Sequence, residues 1–207
     1  MDIVIYIVIA ANVLFSYAAW KRPALFEKYL FSAYRIAHSR EYGRLITHAF
    51  LHGSWMHLIV NMLVLWSFGM ALMNHFAGVF RNLAPLHWLL LYFTSIVASS
   101  LYSLIKHKNN PYYSAVGASG ATSAVVFACI FFEPWKMVYF FGVLPIPGIL
   151  FGALYLFYSY REAKRGADNI GHDAHFWGAV FGFFYPLMVE PRLIAHFISE
   201  ITNVPFL

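Results

Sequence analysis

The chain is 207 residues long, and 61% of its residues are hydrophobic whereas only 11% are charged. A soluble domain has about 25% charged residues, so this composition excludes a soluble globular protein and indicates several membrane spans. The formal net charge is +5, but no basic patch with interleaved aromatic residues is present, so we expect contacts with lipid headgroups and none with nucleic acid.

Six apolar stretches are separated by charged connections, at intervals that suit a hydrocarbon core of roughly 30 Å. The predicted spans are 3–20, 54–75, 86–105, 119–132, 137–160 and 174–189. We therefore predict an all-α membrane protein whose residues 1–207 form a single integral membrane domain, with no separate soluble domain.

The first span turns apolar directly after Met1-Asp2, and its basic residues, Lys21 and Arg22, follow the apolar run. A cleaved signal peptide carries its positive charges before the apolar run, so we expect a retained span. The connection 21–53 mixes basic and aromatic residues, as segments at the membrane interface do. We expect an ordered, partly helical loop there.

The fourth span is short. Its residues, from Ser119 to Phe132, rise about 21 Å against a hydrocarbon core of roughly 30 Å. If Glu133 marks the far interface, Ser119 lies about 9 Å below the near surface. Backbone at that depth must be buried in protein or meet water, which predicts a water-filled pocket with Ser119 at its floor.

The fifth predicted span, 137–160, contains Pro145, Pro147 and Gly148. Proline removes a helical hydrogen bond and commonly kinks a helix. We expect a helix that is kinked or loosened in its middle. A charged loop then leads to the sixth span, and the tail after Pro191 is too short and mixed to span again.

Spans two, four and six run in the same direction, because one returning helix separates each from the next. Their first residues therefore lie on the same side of the membrane. These first residues include His57 and Asn61 on the second span, Ser119 on the fourth and His175 on the sixth. The topology thus brings the polar groups of three helices to one depth.

A serine needs a base to become a nucleophile, and His175 is the strongest candidate for that base. Gly178 and Gly182 lie on the same helix face as His175, and glycines on a face allow a neighbouring helix to approach closely. Gly117 and Gly120 are the small residues beside Ser119. We expect the fourth and sixth spans to pack together and to bring the imidazole within about 3 Å of the hydroxyl.

His57 and Asn61 are four residues apart, so their side chains leave one face of the second span. Acyl transfer builds negative charge on a carbonyl oxygen, and both residues can donate hydrogen bonds to it. The backbone N–H of Ser119, at a helix start, supplies a third donor. Asp173 is expected to face elsewhere, so the pattern predicts a Ser-His dyad and no triad.

The sequence resembles the rhomboid intramembrane serine proteases from about Arg44 onward. Three motifs occur in the order of that family: His57-Leu58-Ile59-Val60-Asn61, Gly117-Ala118-Ser119-Gly120, and Ala174-His175-Phe176-Trp177-Gly178 followed by Gly182. The resemblance implies a rhomboid-like bundle of six transmembrane helices that cleaves peptide bonds in or near transmembrane segments of single-span membrane proteins.

By position, the resemblance implies that Ser119 is the nucleophile, that His175 is the general base, and that His57 and Asn61 form the oxyanion hole. It also implies that neither a metal nor a cofactor takes part. Substrate would enter near the fifth helix or the loop after it.

The sequence departs from the family pattern at two places. The first loop of the family often carries a Trp-Arg pair, where this chain has Tyr42-Gly43-Arg44. Many members place a tyrosine four residues after the nucleophile to stack on the base, where this chain has Ser123. Another group must orient His175, or a hydrogen bond must replace the stacking.

Two alternatives belong to other functional classes. A metal or proton transporter would use the imidazoles of His48, His52, His57, His172 and His175. Transport sites usually add carboxylate or thiolate groups to the imidazoles, and we find none beside these histidines within the spans. A catalytically dead relative that escorts membrane clients typically lacks the serine or the histidine, and both are present. We expect His48 and His52 to be structural hydrogen-bonding groups.

Two indications of orientation disagree. The connections on the Ser119 side hold most of the Lys and Arg residues, which the positive-inside rule places in the cytoplasm. The family resemblance places the mouth of the active site on the non-cytoplasmic side, and we follow the resemblance. The minimal length of six spans suits a bacterial plasma membrane.

Overall fold

The computed structural model of the chain describes residues 1–140, 142–166 and 170–205, and these residues are mostly helical. The helices are α1 (Ile3–Lys21), α2 (Pro23–Tyr29), α3 (Ala33–Ser39), α4 (Arg44–Thr47), α5 (Trp55–Phe80), α6 (Ala84–His107), α7 (Ser119–Phe132), α8 (Gly148–Arg165), α9 (His172–Val189) and α10 (Leu193–Thr202). By length and hydropathy, the stretches Ile3–Lys21 and Trp55–His107 can cross a membrane, and the second of these contains both α5 and α6.

Within the described residues, two small antiparallel strand pairs accompany the helices. Strand β1 (Phe31–Ser32) pairs with β2 (Ser114–Ala115), which ties the first loop to the segment just before α7. Strand β3 (Met137–Phe140) pairs with β4 (Leu144–Pro147) between α7 and α8.

The prediction of a fifth span over 137–160 was wrong in its first half. Residues 137–147 contain the hairpin of β3 and β4, and the helix runs over Gly148–Arg165. Pro145 and Pro147 have no N–H for a helical ladder, and in the hairpin they pair with Tyr139 and Met137 respectively. The helix ends at Gly166, whose positive φ of 57° suits a glycine C-cap.

Helix α7 lies at the centre of the molecule. Every residue from Gly120 to Phe132 is buried, and the helix packs against α5, α6 and, most extensively, α9. It covers the same residues as the predicted fourth span. At its end Glu133 pairs with Lys136 at 2.6 Å and with His75 at 3.2 Å, so a polar cluster marks the end of α7 opposite Ser119.

The first loop is ordered around one buried guanidinium. Arg44 is only 4% exposed. It donates hydrogen bonds to the Glu41 carboxylate at 2.6 Å and to the carbonyl oxygens of Glu27 and Leu30 at 2.9 and 2.7 Å. Tyr42, in contrast, is exposed. Arg44 therefore holds this loop together without an aromatic partner from the Tyr42 position.

Candidate active site

The first turn of α7 packs directly on the first turns of α9. Ser119 is the first residue of α7, and a Cβ added at Gly120 would lie 3.3 Å from the carbonyl oxygen of Ala174. A Cβ added at Gly178 would lie 2.8 Å from the carbonyl carbon of Gly120 and 3.0 Å from its Cα. These contacts place the helix turn that carries His175 against the turn that carries Ser119.

The close contact between α7 and α9 continues one turn further. A Cβ added at Gly182 would overlap the backbone of Ala124. Because side chains four residues apart lie on one helix face, Gly178 and Gly182 form a smooth strip on α9. That strip lets the two backbones approach closely, as small residues do between membrane helices.

The imidazole of His57 packs against the backbone just before Ser119. Gly117 has a φ of +118°, and a Cβ there would lie 2.6 Å from His57 Cε1 and 2.7 Å from Nε2. The N–H of Gly117 donates to the carbonyl oxygen of His48 at 3.0 Å. Only glycine combines this backbone conformation with so close a ring, so Gly117 brings His57 beside the nucleophile segment.

Asn61 lies one turn below His57 on α5. It is 6% exposed, and its Nδ2 donates to the carbonyl oxygen of His57 at 2.9 Å. An asparagine amide has two hydrogens, and this bond uses one of them. His57, Ser119 and His175 are each partly exposed, so reactants can reach the three side chains.

His48 and His52 are buried hydrogen-bonding groups behind this site. His48 donates from Nδ1 to the carbonyl oxygen of Arg44 at 2.8 Å, and its Nε2 lies 3.3 Å from Ser100 Oγ. His52 Nδ1 lies 2.9 Å from Ser16 Oγ. Burial lowers the pKa of His48 to about 4 and the pKa of His52 to about 3, so both rings are neutral at pH 7.

The carboxylate of Asp173, which was expected to face elsewhere than the base, faces Lys106 of α6. It accepts a hydrogen bond from Lys106 Nζ at 2.8 Å. The Asp173 side chain is 17% exposed and that of Lys106 is 37% exposed. This ion pair joins the end of α6 to the start of α9, and it gives Asp173 a partner other than the base.

Sequence reasoning missed Tyr155 of α8. Its ring centroid lies 6.3 Å from that of His175, with 30° between the two planes. Its hydroxyl lies 2.6 Å from Ser123 Oγ, at the position where a tyrosine was expected from the family pattern. Gly152 and Tyr155 share a helix face within the predicted fifth span, but no local signal in the sequence shows that this face meets Ser123 of α7.

The metal-transporter form of the alternative depends on a cluster of metal ligands. Within residues 1–140, 142–166 and 170–205, no group of three or more His, Cys, Asp or Glu side chains is arranged to hold a metal ion. The histidines named for that alternative instead make the ring and hydrogen-bond contacts given above, together with a His172–His175 ring contact at 5.8 Å between centroids.

Comparison with known proteins gives one family and two relatives. The rhomboid domain family matches residues 39–192. The chain is 27% identical over 194 residues to RHOMBOID-like protein 12, mitochondrial, of Arabidopsis thaliana, an alignment that covers 86% of this chain and 55% of that protein. It is 30% identical over 146 residues to Rhomboid protein 1, mitochondrial, of Saccharomyces cerevisiae, covering 68% of this chain and 40% of that protein.

The aligned part of the chain spans about half the length of these two relatives. Their names place both of them in mitochondria. The prediction of a bacterial plasma membrane therefore receives no support from either relative.

Proposed function

This chain belongs to the rhomboid family of helical membrane proteins, and from that premise we propose that it is a serine endopeptidase that cleaves transmembrane segments of single-span proteins. The observation that carries the proposal is the contact of Gly178 with Gly120. This contact brings the turn of α7 that carries the Ser119 hydroxyl against the turn of α9 that carries the His175 imidazole, in a protein of a membrane family. A serine hydroxyl beside an imidazole is the arrangement that activates the oxygen as a nucleophile.

The proposed reaction is acyl transfer to Ser119. The Ser119 oxygen attacks the carbonyl carbon of the scissile peptide bond while His175 takes the hydroxyl proton. His175 then gives that proton to the leaving amine as the C–N bond breaks. A water molecule, deprotonated by His175, attacks the acyl-enzyme, and a carboxylic acid leaves as Ser119 recovers its proton.

We assign the oxyanion hole to His57, Asn61 and the backbone N–H of Ser119. The first N–H groups of a helix have no intrahelical acceptor, and no side chain caps the start of α7. Two contacts support this assignment: His57 packs against Gly117, just before Ser119, and Asn61 donates to the backbone carbonyl oxygen of His57 on the same helix. Removal of one such donor typically costs about 3 kcal/mol of transition-state stabilisation.

The proposal takes α1, α5, α6, α7, α8 and α9 as the six membrane spans. Helix α7 has 14 residues and rises about 21 Å, which is shorter than a hydrocarbon core of roughly 30 Å. Ser119 then lies below the membrane surface, where a peptide bond of an unwound substrate helix reaches it through water.

Substrate entry is assigned to the side of α8. This helix packs more extensively on α9 than on α7, and several of its large apolar side chains are exposed, including Leu150, Leu154 and Phe157. A helix with a mostly open apolar face can move aside at lower cost than the central α7. The loop after α8 is the other candidate gate, and its residues 167–169 lie outside the described part of the chain.

The decisive experiment is labelling of the purified protein with a fluorophosphonate, which reacts with activated serines. Wild type is expected to label and to cleave a single-span model substrate, and Ser119→Ala is expected to do neither. His175→Ala should also fail to label, since the hydroxyl then has no base. The assignment of Ser119 as the nucleophile is wrong if wild type does not label or if Ser119→Ala still cleaves the substrate.

A further inference from the structure

Ser123 is hydrogen bonded on two sides. Its Oγ donates to the carbonyl oxygen of Ser119 at 2.8 Å, one turn back on α7. A serine hydroxyl has one hydrogen and two acceptor lone pairs. The Tyr155 hydroxyl, 2.6 Å from Ser123 Oγ, is therefore the donor of the second bond. Ser123 thus fixes the end of the Tyr155 side chain to the helix that carries the nucleophile.

The ring of Tyr155 is fixed along its length as well. Phe127 of α7 and Phe151 of α8 flank it, with ring centroids 5.6 and 5.9 Å away. Gly152 allows α8 to approach at this level, because a Cβ there would lie 3.3 Å from Phe127 Cε1. The same ring of Tyr155 contacts the imidazole of His175, with 6.3 Å between the ring centroids.

We propose that Tyr155 is the positioning residue for the His175 imidazole, and that Ser123 acts as its anchor. The inference rests on the proposed function, in which His175 is the base. The family pattern supplies an aromatic ring from the position of Ser123 itself. Here a small hydroxyl at that position leaves room for a ring from α8 and binds its hydroxyl group. The ring orients the base, and the hydrogen bond orients the ring.

The positioning role predicts a specific kinetic signature. An imidazole that loses its neighbour samples other rotamers, and a misplacement of about 1 Å can cost on the order of a hundredfold in rate. Tyr155→Ala should lower kcat and the fluorophosphonate labelling rate by roughly ten- to a hundredfold, with little change in KM, since the ring acts on the chemical step. Tyr155→Phe keeps the ring but loses the anchor, so its kcat should fall between those of Tyr155→Ala and wild type.

The test is a swap of the aromatic ring between helices, measured on full-length protein in proteoliposomes with a single-span substrate. The double variant Ser123→Tyr, Tyr155→Ala carries the ring on α7, and it should recover most of the kcat that Tyr155→Ala loses. Tyr6→Ala is the matched control, because it removes the same side chain from α1, away from the proposed entry side, where Tyr6 is 49% exposed. It should keep the kcat of wild type.

The outcomes separate the two hypotheses. Wild type that does not label with fluorophosphonate overturns the proposed function itself. Wild type that labels, together with Tyr155→Ala at wild-type kcat, overturns only the positioning role. A swap variant no faster than Tyr155→Ala also overturns it. If Tyr155→Ala does not fold, Tyr155→Phe decides, and a wild-type kcat for that variant rejects the anchor.

Discussion

At the scale of single residues, Asp173 distinguishes a dyad from a triad. It stands two residues before His175, but its carboxylate binds Lys106 at 2.8 Å. In triad enzymes, changing the aspartate to asparagine costs about 10⁴ in kcat. Because Asp173 pairs with α6, we expect Asp173→Asn to reduce kcat by less than about tenfold. Steady-state cleavage of the single-span substrate measures this change.

Lys106→Gln provides the matched control for that prediction. It breaks the same ion pair from the other side and leaves the carboxylate in place. The two variants should show the same small change in kcat and in thermal stability. A severe loss of kcat in Asp173→Asn, with Lys106→Gln unaffected, would instead identify Asp173 as a third catalytic group.

Residue spacing in the sequence was enough to nominate Ser119, His175, His57 and Asn61, because their positions at helix starts follow from the order of the spans. Tyr155 could not be nominated in the same way. Its role depends on a hydrogen bond to Ser123 across two helices, and neither side chain alone departs from ordinary packing. A missing aromatic at position 123 indicated only that some partner was needed.

At the scale of elements, the α7–α9 contact predicts unequal effects of alanine at two helical glycines. A Cβ at Gly178 would lie 2.8 Å from the carbonyl carbon of Gly120, whereas a Cβ at Gly78 on α5 has nothing within 4 Å. Gly178→Ala should destabilise the protein by about 1–3 kcal/mol through overpacking and should slow fluorophosphonate labelling. Gly78→Ala should stabilise α5 by up to about 1 kcal/mol and leave labelling unchanged.

Thermal unfolding in detergent and the labelling rate measure the two effects separately. Gly178→Leu, with a larger side chain, should lose activity altogether, because it separates the turns that carry Ser119 and His175. Wild-type labelling by Gly178→Leu would contradict the packing argument. Equal stability changes in Gly178→Ala and Gly78→Ala would do so too.

Element bounds were predictable where one signal dominated. Helix α7 has the predicted bounds because Gly117 and Gly120 stand at its start and Glu133-Pro134 follows its end. The segment 137–147 carried two competing signals, an apolar run that favours a span and two prolines that oppose a helix. Backbone pairing decided between them, since Pro145 and Pro147 lie on β4 opposite β3. A hairpin depends on a partner strand, which local composition does not reveal.

At the scale of the whole molecule, the distribution of charge bears on orientation. Most basic residues lie at the Ser119 end, which the positive-inside rule places in the cytoplasm. Several of them are paired locally: Arg44 and Arg35 lie 2.6 and 3.6 Å from Glu41, and Arg165 lies 3.4 Å from Glu162. The bond from Arg44 lowers the pKa of Glu41, which keeps this carboxylate charged. Local pairing weakens the orienting effect of these cations.

We therefore expect the Ser119 end to face away from the cytoplasm, and introduced cysteines can measure this. Tyr112, in the loop before α7, is 93% exposed, and Asn82, between α5 and α6, is exposed at the opposite end. The single native thiol, Cys129, is buried, so it should contribute little background. In right-side-out vesicles of bacterial inner membrane, an impermeant maleimide should label Tyr112→Cys at once and Asn82→Cys only after permeabilisation. The reverse order would mean that the basic loops dominate and that the active site opens to the cytoplasm.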